Sequence, residues 1–89
     1  MRITASSQEK LQDLLKSQEY VIRYEKGNFK GGYCVVQDQR TVIINKFHPI
    51  ETKINLLLEI IRSLEIDESR LSAEQAKLLE RIRKNEPAS

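Results

Sequence analysis

The sequence predicts an α+β domain in the order α-β-β-β-α-α: a helix, a three-stranded antiparallel meander and two C-terminal helices. Three observations predict it. Apolar residues recur at helical spacing in three segments, near residues 6–17, 50–64 and 72–84. Between the first two lie three runs rich in β-branched and aromatic residues. All three glycines, and a short polar stretch, fall between those runs, where the chain has to reverse.

Taken in order, Ser6-Ser7-Gln8-Glu9 fits a capping box, so a first helix is expected to start there. Leu11, Leu14 and Leu15 then fall on one face, and Gln12, Asp13 and Lys16 on the other, until about Ser17. Tyr20 to Glu25 changes the rhythm to a period of two, with Tyr20, Ile22 and Tyr24 on one side of a first strand. Lys26 to Gly32 holds Gly27, Gly31 and Gly32 and reads as a connecting loop. Tyr33 to Val36 and Thr41 to Ile44 are the second and third strands, with Gln37 to Arg40 as the hairpin turn between them. Both runs are apolar at consecutive positions, which predicts a sheet covered on both faces, by helices or by a second copy of the chain.

Pro49 suits the first turn of a helix, and Ile50, Ile54, Leu57, Leu58, Ile61 and Leu64 mark its broad apolar face. Ser72-Ala73-Glu74-Gln75 is a second capping box, with Leu71 placed to staple onto Ala76, and Leu78, Leu79 and Ile82 continue the stripe to about Lys84. Residues 1–89 are expected to form a single domain with an ordered core of about 6–84 and a frayed tail at 85–89.

Composition sets bounds on function. At 39% apolar and 31% charged residues the chain belongs with folded proteins. So short a chain buries a modest share of its surface, which favours association with a partner. One cysteine, Cys34, can make neither an internal disulfide nor a zinc knuckle, so the reducing cytoplasm is the expected compartment. The N-terminus turns polar within a few residues, and the apolar runs Val42 to Ile44 and Leu56 to Leu58 are far short of a membrane span. The net charge of +2 is mild, but residues 20–53 carry six basic and three acidic groups.

The glycine loop Lys26-Gly27-Asn28-Phe29-Lys30-Gly31-Gly32 offers backbone amides and two lysines that could cradle a phosphate or carboxylate, although it lacks the Gly-Lys-Ser/Thr of a P-loop. All five aromatics, Tyr20, Tyr24, Phe29, Tyr33 and Phe47, share the basic segment 20–47, where Arg23, Lys26, Lys30, Arg40 and Lys46 could neutralise nucleic-acid phosphates. Aromatics also enter strands for packing alone. Cys34 and His48 are the candidate nucleophile and base, but each has a plain structural reading, as a small core residue and a helix-start residue respectively. Glu65, Asp67 and Glu68 cluster without the ligand spacing of a calcium loop and read as a helix-connecting turn. Leu78, Leu79 and Ile82 serve either the core or an interface.

The stretch Gly32 to Leu64, GGYCVVQDQRTVIIN followed by a spacer and IETKINLLLEIIRSL, resembles the core of small bacterial zincin metallopeptidases, where a strand ending in Asn leads into a helix bearing H-E-x-x-H. Here the corresponding residues are Leu58-Glu59-Ile60-Ile61-Arg62. The glutamate position is kept and both zinc-ligand positions are lost, so the resemblance implies no zinc chemistry.

The expected function is a non-enzymatic protein interaction or self-associating module, with no metal or cofactor. A homodimer or another protein is the expected partner. The alternatives are a nucleic-acid-binding module using residues 20–47 and an anion-binding regulator using loop 26–32.

Overall fold

The computed structural model describes residues 4–84, with Val36 described by its backbone. The elements are α1 (Ala5–Ser17), β1 (Val21–Glu25), β2 (Gly32–Val36), β3 (Gln39–Asn45), α2 (Ile50–Ser63), a one-turn 3-10 helix (Glu68–Arg70) and α3 (Ala73–Lys84). The α+β class and the element order are as expected. The expected frayed tail at 85–89 lies outside the described residues.

The capping box expected at Ser6 does not form. The N-cap is Thr4, whose hydroxyl accepts from the Ser7 amide at 3.1 Å, so Ser6 lies inside the first turn. The box at Ser72 forms in full: the Gln75 amide donates to the Ser72 hydroxyl at 3.1 Å and the Ser72 amide to the Gln75 side-chain oxygen at 3.0 Å.

The meander is overturned. The strand order is β1-β3-β2, with β1 parallel to β3 and β2 antiparallel to it. β3 therefore occupies the centre. The physical reason lies in the two connections. Between β2 and β3 stand two residues, Gln37 at φ 51° and Asp38 at φ 64°, which give the two left-handed positions of a type I′ hairpin turn. The connection 26–31 is longer and crosses the end of β3, a step of roughly 10 Å between the outer strands that six residues span with ease. Gly31 makes the crossing possible. It sits at φ +91°, and a Cβ built there would lie 2.6 Å from the Ile43 carbonyl oxygen and 2.9 Å from the Leu56 side chain.

Pairing puts Ile22 beside Val42 and Tyr24 beside Ile44 on one face of the sheet, with Tyr33 opposite Val42. This face carries the helices. Leu11, Leu14 and Leu15 of α1 and Ile54, Leu57 and Ile61 of α2 pack with Val42 and Ile44 into the core, which α3 joins through Leu79 and Ile82. Val21, Ile43 and Cys34 of the other face, which also carries Arg23 and Thr41, are outside that core, so the expectation of two faces covered, by helices or by a second copy, is met by helices on one face. Helices α1 and α2 both pack on the Val42 and Ile44 side. Position-by-position apolarity of β3 does not distinguish that side from the other.

A polar tie at Gln18 joins the end of α1 to the segment before α3. Gln18, nearly buried after α1, donates to the Asp67 carbonyl at 3.1 Å and accepts the Asp67 amide at 2.8 Å. Around it, Arg70 pairs with Glu19 at 2.9 Å, and Asp67 caps the one-turn helix through the Ser69 amide.

Candidate functional site

Because β1 and β3 are parallel, their C-terminal residues Glu25 and Asn45 are register partners, and the chain leaves both at the same end of the sheet. Asn45 organises that end. Its side-chain nitrogen donates to the Gly27 and Phe29 carbonyls, each at 2.8 Å, and its oxygen accepts the Phe47 amide at 3.0 Å. At 2% exposure these bonds are shielded from water, so they hold loop 26–31 against residues 46–48. The two loops enclose an open recess of about 550 Å³ lined by Asn28, Phe29, Lys30, Phe47 and His48, with Gly27 and Asn45 at its base.

The structure thus brings together Gly27, Asn28 and Lys30 of the candidate anion loop. Lys26 and Lys46 are exposed beside them, while Gly31 precedes β2, Gly32 opens it, and neither lines the recess. Arg23 stands apart, paired with Glu25 at 2.8 Å. His48 does not cap α2. Pro49 is the N-cap, without a side-chain cap bond, and His48 faces the recess. One ammonium, one imidazole and two phenyl rings suit a ligand with an anionic group beside a flat apolar one.

The aromatic set does not form one stacking surface. Tyr20 and Tyr33 meet edge to face at 6.5 Å, with the Arg40 guanidinium 5.9 Å from the Tyr20 ring centre. Tyr24 accepts from Gln8 and Gln12 of α1, and Lys53 lies 5.8 Å from its ring centre. Phe29 and Phe47 are at the recess, at the far end of the sheet from Arg40.

Cys34 and His48 are not brought together. Cys34 is opposite Thr41, four residues before the end of β3 and so roughly 13 Å from it along the strand. In the stretch Leu58 to Arg62, Leu58 is half-buried, Glu59 is exposed and Arg62 donates to the Ile82 carbonyl at 3.3 Å. Of the acidic group at 65–68, Asp67 is engaged at its cap and Glu68 pairs with Arg83 at 3.6 Å. Among the described residues no group of three His, Cys, Asp or Glu side chains could hold a metal ion. No described helix is long and apolar enough to cross a membrane. Leu79 and Ile82 belong to the core, and Leu78 is half-buried in a groove between α1 and α3.

One feature has no counterpart in the expected site residues. β2 is an outer strand, and the two-residue turn fixes the phase of its bonding. The pair Val36–Gln39 flanking such a turn is hydrogen-bonded, so Cys34–Thr41 and Gly32–Ile43 are as well, while Val35–Arg40 and Tyr33–Val42 are not. The amides and carbonyls of Tyr33 and Val35 therefore point to the free edge. Among the described residues no turn, loop or cap bond reaches them. Their side chains are also exposed, Val35 at 67% and Tyr33 at 47%. Natural edges are commonly blunted with lysine, proline or a bulge, and Gly32–Val36 has none of these. The absence of any charge from this run was the available sequence signal.

No family model matches the chain, and no curated protein or solved structure matches it.

Proposed function

We propose that this chain is a non-enzymatic interaction module that engages another polypeptide by adding a strand to β2. The supporting observation is the bare β2 edge: outward-facing backbone groups at Tyr33 and Val35, flanked by exposed apolar side chains and free of charge. Strand addition satisfies those backbone groups and shields Val35 at once. Main-chain bonds then supply affinity, and the alternate side chains supply selectivity.

The test is sedimentation velocity of the full chain over a wide concentration range, beside Val35→Lys. The native chain is expected to associate, and the lysine variant to lose that association by tenfold or more, since a charge on an edge opposes pairing. A native chain that stays at the mass of 10.4 kDa at every concentration, and a variant indistinguishable from it, overturns self-pairing. Strand addition then stands only if an extended peptide shifts the Tyr33 and Val35 amides.

A second reading rests on the recess. Lys30 and His48 beside Phe29 and Phe47 favour a small anion with a planar group, such as a nucleoside monophosphate. Amide shift perturbation separates the cases. Changes at residues 27–30 and 46–48 that are absent with inorganic phosphate support a planar anionic ligand, and no change with either removes the reading.

A further inference from the structure

We infer that the partner of β2 is a second copy of this chain, joined about a two-fold axis that sets Cys34 directly opposite Cys34 of the second copy. The inference rests on strand addition at β2 and names its occupant and register.

The register follows from the strand itself. β2 spans Gly32–Val36, so its midpoint is Cys34. In an antiparallel pairing of β2 with its own copy, hydrogen bonds are exchanged by residues whose backbone groups face outward, here Tyr33 and Val35. Centring the axis on Val35 would oppose Tyr33 to Gln37, which lies in the hairpin turn at φ 51°. Centring it on Tyr33 would oppose Val35 to Gly31, which lies before the strand at φ +91°. Centring it on Cys34 opposes Tyr33 to Val35 twice over and uses the full strand.

Three consequences agree with a second copy as the occupant. Two exposed apolar side chains of the strand cover one another, Tyr33 against Val35. The strand carries no charge, so two copies meet without like-charge repulsion. The pairing also extends the sheet symmetrically, in the order β1-β3-β2-β2-β3-β1, leaving the charged β1 strands outermost. The bare edges are thereby consumed in a closed pair.

Cys34 then forms a non-hydrogen-bonded pair with its copy, where Cα atoms stand about 4.5 Å apart. That is within the range a disulfide spans, about 4.4–6.8 Å. The thiols lie on the sheet face opposite the Val42 and Ile44 core. Added diamide takes the hydrogens of both thiols and becomes its hydrazine as the Sγ–Sγ bond forms.

The experiment is timed oxidation of the full chain with stoichiometric diamide, read by mass and non-reducing gel, with sedimentation run in parallel. A control carries Cys34→Ser together with Val21→Cys, an exposed position on the same face of β1. The native chain is expected to form a disulfide dimer on the order of tenfold faster than the control or more, because a held pair has an effective concentration far above that in solution. Cys34→Ser alone is expected to associate without linking, and Val35→Lys to slow linking at Cys34 to the control rate. Association in sedimentation with Cys34 linking no faster than the control overturns the register and leaves strand addition standing. Absence of association, with linking unchanged by Val35→Lys, overturns the second copy as occupant together with the register, and strand addition then rests on the extended-peptide test alone.

Discussion

The two outer strands of this sheet differ in how they meet solvent. β1, Val21–Glu25, carries Arg23 and Glu25, which pair across the open face at 2.8 Å, and α1 packs beside it, with Gln8 and Gln12 holding Tyr24. β2, Gly32–Val36, carries no charge and leaves Val35 two-thirds exposed. Among the described residues each is the outer strand of its side of the sheet. A strand bearing an ion pair keeps water and repels a hydrophobic neighbour, whereas an uncharged β-branched strand gains by being covered. Pairing is therefore expected at one edge and resisted at the other.

The largest effect is expected where that contrast is built. Gly31→Ala puts a methyl group against the Ile43 carbonyl at a left-handed φ, so β2 has to shift off β3. Backbone strain and overpacking together should lower stability by about 3 kcal/mol or more, read by urea denaturation, and association should vanish with the edge.

Asn45→Ala follows. It removes three hydrogen bonds that hold the crossing loop, each worth a net ~0.5–1.5 kcal/mol, for a loss of about 2 to 4 kcal/mol. Amide exchange at residues 27–30 should accelerate more than exchange in α2.

A smaller change in the opposite direction is expected at the hairpin. Gln37→Asn with Asp38→Gly gives the I′ turn the residues it favours, at positions where φ is 51° and 64°, and should stabilise the chain by about 1 kcal/mol. Association should be unchanged, because the phase of β2 is unchanged.

The smallest effect lies away from both edges. Arg70 beside Glu19, and the Ser69 hydroxyl and amide on Asp67, hold both carboxyls below their usual values. Depressed carboxylates contribute stability above their unfolded values of 4.5 and 3.8, and the contribution is lost as pH falls through and below them. Both groups are exposed, so only a slight drop in Tm between pH 6 and pH 3 should trace to them, as Glu19→Gln with Asp67→Asn would reveal by flattening it.

Elements whose causes are local were legible in the sequence. The stripe Leu11, Leu14 and Leu15, the stripe Ile54, Leu57 and Ile61, and the box Ser72–Gln75 each act over a turn or two of helix, so spacing determines them. Strand order is not local. The runs around Ile22, Val35 and Ile43 look alike at the level of propensity, and what separates a meander from β1-β3-β2 is the missing Cβ at Gly31 and the reach of Asn45 across to Gly27 and Phe29. Helix coverage was hidden for a related reason: Ile43 is as apolar as Val42, and only the placement of α1 and α2 decides which of them is enclosed.

The recess was half legible. Lys30 and the loop glycines stand out in the sequence, whereas His48 has the look of a helix start there, and only the parallel pairing of β1 and β3 brings the two loops to one end. The β2 edge needed the turn as well as the strand. Without the register Val36–Gln39, nothing in Gly32 to Val36 says which backbone groups face outward.

The most direct measurement is residue-resolved amide hydrogen exchange across protein concentration. The account predicts that the Tyr33 and Val35 amides slow steeply as concentration rises while the amides of β1 do not change. Exchange at Tyr33 and Val35 that is independent of concentration, or protection that grows equally along β1, would contradict it.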